Sequence, residues 1–253
     1  MTDMLKKIFT LILFFLFPTG LIRPALNLMG HSVRSGAKVG FTFFWCDFFA
    51  LDSDVRIGHL NFIGVSKLLI RKGGRVGHLN TVKGPFSLVL RERAALGNRN
   101  RILRARPGVS VGFSQLKLGA GAKITSDHRI DCTQSVLFGE HSILAGAGSQ
   151  LWTHGYVHDV EGSGRYRIDG RIVIENNVYI GSACLISMGV RVAKGIIVGG
   201  GTSVATSLVE PGLYVSASIR RLSRPALPDH RDDLSRVVDK RLIEKKVYIK
   251  RRS

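Results

Sequence analysis

The sequence predicts an all-β solenoid, a parallel β-helix, and three observations carry that prediction. An aliphatic residue returns every six positions at Ile174, Ile180, Ile186, Val192, Val198 and Val204. The residues after them are Glu175, Gly181, Ser187, Ala193, Gly199 and Ala205, nearly all small. Four positions after the first five stand Val178, Cys184, Val190, Ile196 and Thr202. A period of six fits neither an amphipathic helix nor a hairpin meander. It is one flat side of a triangular coil. Three sides make a turn, and stacked turns bury a shared aliphatic column.

The register continues upstream with breaks. Leu118, Ile124, Ile130 and Val136 keep the step of six; Phe138 and Leu144 resume it after a two-residue shift. Ile57-Gly58 and Ile63-Gly64 begin it, and Val76-Gly77 and Leu96-Gly97 are weaker echoes. A shift in register marks a loop that leaves the coil. Glycine at the second position suits a tight corner, where φ can be positive.

The ends depart from this pattern. Residues 1–50 form an apolar amino-terminal segment, 51–222 the coil with an extruded loop near 155–171, and 223–253 a basic tail. Lys6-Lys7 precede ten mostly apolar residues, Ile8 to Phe17, and then Pro18. Such a run is too short for a bilayer, which needs about 20 residues. A signal peptide shares the basic start and apolar run, but no small-residue cleavage site follows cleanly. Residues 1–30 read as short helices, lying on a membrane surface or capping the first coil. Past Pro225 and Pro228, residues 230–246 read as a helical tail with Leu234, Val237, Val238 and Leu242 on one side. Its basic end is either a solvated surface or a second contact for lipid or phosphate.

The net charge of +19, from 37 Lys+Arg against 18 Asp+Glu, favours an anionic partner. No zinc finger, recognition helix or interleaved aromatic-basic motif points to nucleic acid. An anionic membrane surface or a phosphorylated ligand leads instead. Cys46, Cys132 and Cys184 have no paired or metal-like spacing, as in a reducing, cytoplasmic compartment. Cys184 falls on an inward column position.

The informative interruption follows Leu144. The chain reads Gln150-Leu151-Trp152-Thr153-His154-Gly155-Tyr156-Val157-His158-Asp159 and then a polar, Gly- and Arg-rich loop before the hexads resume at Ile174. Histidine suits proton transfer near neutral pH. Two histidines four apart can also hold a metal, or one can cap the loop, and the spacing leaves these open.

The hexads, the "WTHGYVHD" segment with its loop, "IVIENNVYIGSACLISMGVRV" and "GGGTSVATSLVEPGLYVSASIRRL" resemble the hexapeptide-repeat acyltransferases. The nearest branch is the one that O-acetylates lipopolysaccharide and other polysaccharides. The resemblance covers about Val55 to Leu222. It implies a left-handed coil, a homotrimer with sites between neighbouring coils, and acyl transfer from acetyl-CoA to a sugar hydroxyl or amine. No metal is required by that chemistry. The resemblance implies a general base at His154, with His158 of the His158-Asp159 pair as rival. An orienting carboxylate would come from Asp159, Glu140 or Asp131. It places an oxyanion donor at Gly181 or Ser182. The donor's arm would lie along Gly199, Gly200, Gly201 and Thr202, with Lys194 and Arg220 near its phosphates. Relatives carry Gly-x-Pro-Ala where this chain has Ser216-Ala217-Ser218-Ile219, so the placing of Arg220 loses its marker. Trp152, Arg165 and Arg167 are expected to meet the acceptor, a glycan or glycolipid.

Two other classes use such a coil. A γ-type carbonic anhydrase needs three His ligands; His128, His141, His154 and His158 are numerous enough but lack its spacing. A non-catalytic scaffold for glycan biosynthesis would have a dispensable His loop.

Overall fold

The structure, a computed structural model, describes residues 3–216, 231–240 and 246–251. It is the triangular parallel coil that the hexads predict. The first face stacks short rungs from Lys38–Val39 through Ile143–Leu144 and Tyr179–Ile180 to Leu213–Tyr214. The second runs from Thr42–Phe44 through Arg129–Asp131 and Gln150–Leu151 to Ser203–Val204. The third runs from Ser32–Val33 through Val136–Phe138 and Ile172–Ile174 to Arg191–Val192. Ile174 pairs with Val192, Ile180 with Val198 and Ile186 with Val204, each one turn of three hexads apart. These residues are buried, as are Val178, Cys184, Val190, Ile196 and Thr202, so both predicted columns point inward. All three cysteines are free and buried.

The coil begins earlier than residue 51. Ser32–Val33 pairs with Phe48–Leu51, and Lys38–Val39 with Arg56–Ile57, so these first turns belong to the solenoid. They escape the hexad pattern because their core is aromatic: Phe44 and Phe49 are fully buried, with rings 5.4 Å apart. Two longer strands, Asn61–Ile70 and Thr81–Leu90, bend from the second face onto the third, with a register shift between Val65 and Lys67.

The open amino-terminal end of the coil is closed by helices. Helix α1 (Asp3–Leu16) stacks Phe14 on Phe44 at 4.6 Å. Helix α2 (Thr19–Leu28) buries Ile22 and Leu26. Asn27 Oδ1 accepts from the Val33 N–H at 2.7 Å and Thr19 Oγ1 from that of Val39 at 2.9 Å. These side chains thus supply the bonds a preceding rung would have made, which an exposed strand edge otherwise lacks. The outer side of α1 leaves Met4, Leu5, Phe9, Phe15 and Leu16 exposed.

Two segments leave the coil, both between the second and third faces. One is 104–114. The other is a hairpin of His154–His158 and Arg165–Asp169, paired antiparallel. In the carboxyl-terminal segment the described residues 231–240 and 246 do not form the helix expected over 230–246. Leu234–Arg236 and Val247–Lys250 are strands that extend the hairpin into a four-stranded sheet. β-Branched and aromatic residues in Val247-Tyr248-Ile249 favour a strand once an edge is offered. Tyr166, Ile168, Leu234 and Tyr248 form a small core of their own. Leu242 of that expectation lies outside the described residues.

A polar ladder lines the inner side of the corner between the first and second faces. Asn61 Oδ1 accepts from the backbone and side-chain N–H groups of Asn80 at 3.0 and 2.9 Å. Asn80 Oδ1 accepts likewise from Asn100 at 2.9 and 3.2 Å. Asn100 Oδ1 accepts from the His128 N–H at 3.0 Å. Each buried amide therefore satisfies the next turn. Replacing Asn80 with Leu should strand the Asn100 donors and cost about 1–3 kcal/mol per unsatisfied group, read as a lower midpoint of urea unfolding.

Candidate active site

Asp131 ends a rung of the second face, and its carboxylate collects the donors around it. Oδ1 accepts from Thr133, N–H at 3.2 Å and Oγ1 at 2.9 Å. Oδ2 accepts from the Thr153 N–H at 3.1 Å, from the Thr153 hydroxyl, and from His154 Nδ1 at 2.9 Å. Burial by itself raises the Asp131 pKa, but the hydrogen bonds from His154, Thr153 and Thr133 outweigh it, and the net shift is downward. The carboxylate is therefore ionised and accepts only, so His154 Nδ1 must carry the proton. This leaves Nε2 as the base nitrogen, the second-group logic of a triad. The bond to Asp131 raises the His154 pKa above 6.5, against the opposing effect of burial.

The hairpin sets the rest. Its strand alternation puts Trp152, His154, Tyr156 and His158 on one side. Trp152 meets His154 edge-on at 5.9 Å, His154 meets Tyr156 edge-on at 6.1 Å, and Tyr156 lies 6.4 Å from His158. The Arg165 guanidinium sits 5.2 Å from the Tyr156 ring centre. His154 is half-buried at the hairpin base, where the Gly170 N–H donates to the Thr153 carbonyl at 2.8 Å. His158 stands at the exposed end.

Several expected roles move. Asp159 does not orient His154: its N–H closes the hairpin tip on the Gly164 carbonyl at 2.9 Å. Glu140 is on another corner, its N–H bonded to Asn176 Oδ1 at 2.8 Å. Arg167 does not face an acceptor. It is 2% exposed and holds buried Asp169 through two bonds, Nε to Oδ1 at 2.9 Å and Nη2 to Oδ2 at 3.1 Å. Asp169 is the cross-strand partner of His154. Burial raises its pKa, which Arg167 partly offsets. Arg167 Nη1 also donates to the Val109 carbonyl, tying the hairpin to the 104–114 segment.

The expected oxyanion and donor residues do not converge on His154 within one chain. Gly181 lies at the corner between the first and second faces, and its N–H is committed to the Val198 carbonyl at 2.8 Å. Ser182 beside it is exposed. The N–H groups of Gly199 and Gly201 are likewise committed, to Tyr214 and Ser182 carbonyls at 2.8 Å each. Thr202 is buried in the coil together with its hydroxyl. Gly200 is exposed on that corner; exposed Lys194 is on a different corner, its N–H bonded to Glu175 Oε2 at 2.9 Å. Arg220 lies outside the described residues. Among the described residues no three-histidine metal site is assembled either. Both ring nitrogens of buried His128 are engaged, by Thr125 Oγ1 at 3.0 Å and the Ser149 N–H at 3.2 Å.

Sequence reasoning named Asp131 without placing it, and it missed Tyr156. The alternation of Trp152, His154, Tyr156 and His158 was the available signal for Tyr156.

No family model matches the chain, and no curated protein matches its sequence. Among solved structures it is similar to the D94A mutant of AntD, an N-acyltransferase from Bacillus cereus in complex with dTDP and coenzyme A. That likeness has 14% identity and a TM-score of 0.33 over 79% of this chain and 88% of that one. The polySia-specific acetyltransferase NeuO gives 15% identity and a TM-score of 0.40 over 73% and 94%. The polysialic acid O-acetyltransferase OatWY gives 16% and 0.33 over 79% and 92%. At such identities and TM-scores these likenesses assign no activity to this chain.

Arg167 and Asp169 give a direct test of the hairpin's anchoring. Arg167→Met leaves the Asp169 carboxylate buried without its cation, and loss of one partner of a buried pair costs about 3–5 kcal/mol. The double variant Arg167→Met/Asp169→Leu should recover much of that loss in thermal unfolding.

Proposed function

We propose that the protein is an acyltransferase that moves an acetyl group from acetyl-CoA to a sugar hydroxyl of a cell-surface glycan or its lipid-linked precursor. The observation that carries this reading is the Asp131–His154 pair, with a proton held on Nδ1 and Nε2 left as acceptor beside an aromatic row. Nε2 takes the proton of the acceptor hydroxyl as its oxygen attacks the thioester carbonyl. The carbon–sulfur bond then breaks, and the imidazolium returns its proton to the departing thiolate. No covalent enzyme intermediate is needed. Trp152 and Tyr156 offer apolar ring faces of the kind sugars stack on, and Arg165 offers a cation for an acidic sugar or phosphate.

The site is completed between copies. His154 and the exposed corner at Ser182 and Gly200 lie on different edges of one coil, so a neighbouring coil must bring them together, as in a homotrimer. Peripheral contact with an anionic membrane fits the amino-terminal end. No helix among the described residues is long and apolar enough to cross a bilayer. The corner residues Leu60 and Leu79 are nevertheless 62% and 50% exposed, and both hold positive φ, at 57° and 60°. Bulky side chains rarely take that conformation, which costs about 1–2 kcal/mol. Their exposure is accounted for when a membrane covers them; the positive φ is a corner geometry they share with Arg99 and Asp127. Lys38, Arg56 and Arg75 line the first face of the same turns, where anionic lipid would be attracted.

Purified protein with acetyl-CoA and a glycan panel should release CoA only when an acceptor is present. His154→Ala should lower that rate by about 10²–10⁴-fold, and His158→Ala should leave most of it. CoA release unaffected by His154→Ala would overturn the reading. Because the base must be neutral, kcat/KM should fall as pH drops through the raised His154 pKa. That acid limb lies above 6.5 and should shift down in Asp131→Asn. Phosphatidylglycerol vesicles should co-sediment the wild type in low salt but not Leu60→Asp/Leu79→Asp; equal sedimentation of both would remove the membrane contact.

A further inference from the structure

An open groove of about 590 Å³ runs along the second face toward the coil's amino-terminal end. Trp45, Phe62 and Trp152 line it, and Asp131, which holds His154, stands at one end. Gly64 faces outward on its floor, and Gly84 lies beside it where the Arg104 turn packs close. A Cβ on Gly64 would meet the Phe62 ring at 2.9 Å, and one on Gly84 the Arg104 carbonyl at 2.5 Å. The far wall is the 105–107 stretch. Arg104 fixes it by donating from Nη2 to the carbonyls of Val111 at 3.0 Å and Gly112 at 2.7 Å. Trp45 opens the other end, with Lys7 of α1 5.9 Å from its ring. Phe43 and Phe41 are exposed on the same segment before Trp45, and the Phe15 ring of α1 meets Phe41 at 5.2 Å.

We propose that this groove holds the hydrocarbon chain of a membrane-anchored acceptor, a sugar carried on a polyprenyl phosphate. The proposal rests on the acetyl-transfer reading for its acceptor end, and on the groove's own shape and chemistry for the rest. The surface at the Trp45 end is the one an apolar chain leaving a bilayer would follow. Lys83 and Arg106, both exposed on the groove, supply cations for the phosphate that joins chain to sugar. The sugar would then fall at Trp152 and His154. Aromatic walls with a few convergent charges are the usual make-up of such a site.

Trp45 and Trp152 are the chain's two tryptophans, so emission reports on this groove without any chemistry. Titration of the full chain with soluble farnesyl monophosphate should give a saturable blue shift. Phe62→Asp should weaken it about tenfold or more, since burial of an aromatic ring contributes at least one decade of affinity. Lys83→Glu, on the exposed rim, should weaken farnesyl monophosphate but not farnesol, which lacks the charge. His154→Ala should bind like the wild type, so the result stands or falls apart from acetyl transfer. An unchanged emission, the same shift with inorganic phosphate, or wild-type binding by both Phe62→Asp and Lys83→Glu would overturn the proposal. Displacement by palmitoyl-CoA with no response to farnesyl monophosphate would overturn it in favour of a donor acyl chain. Conversion of Phe62→Asp to a smaller oligomer by sedimentation would overturn it in favour of a second copy of this chain.

Discussion

Everything in this molecule depends on backbone groups of one turn being satisfied by the next. A rung of two residues cannot stand alone, and its N–H and C=O groups find partners only above and below. That constraint forces parallel stacking, fixes the spacing of inward residues, and leaves two ends to be closed. The amino-terminal end is closed by Asn27 and Thr19, which imitate a rung with side-chain atoms. At the corners the same demand appears in the asparagine ladder, where side-chain amides repeat the backbone's arrangement inside the core. The coil is rigid as a result, and rigidity lets a single inserted hairpin present a histidine at a defined place.

The site gains its precision from two buried carboxylates with opposite duties. Asp131 is surrounded by donors and sets the proton position on His154. Asp169 is held by Arg167, which also ties the hairpin to the 104–114 excursion. The first carboxylate tunes a ring; the second fixes the strand that carries it. The Asp131 arrangement can be read from one chain, whereas the residues expected to meet the donor lie on other edges. This division between a finished half-site and a separated one is what makes the assembly of copies part of the chemistry in the proposed reading.

The hexads from Ile174 onward were legible because the period of six is imposed by the backbone and filled by one kind of side chain. The first turns were not, because Phe44, Phe49 and Asn61 take the inward places and the turns run longer than three hexads. The His154 segment was legible as a departure from the coil. Its orienting partner was not, because Asp131 comes from the preceding turn and its nearness depends on stacking register. Arg167 looked like a surface charge among other arginines in a polar loop. Only its pairing with buried Asp169, two residues on along the same strand, removes it from the surface. The strands of the tail were misread as a helix because their partner is far away in sequence, and mixed charge with scattered aliphatics suits a helix as well.

The sheet beside the hairpin has a consequence for how the protein is made. Arg165–Asp169 is flanked by Val247–Lys250, which leaves the ribosome long after the coil's last rung. A solenoid can wind turn by turn as it is synthesised, each new rung completing the one before. The hairpin cannot be finished on that schedule. Until Val247–Lys250 arrives, Tyr166 and Ile168 have Val157 and Met188 but lack Tyr248, and the outer strand lacks its edge. A nascent chain therefore carries a wound coil with an incomplete His154 platform, and translation itself delays the moment at which the base is held in place.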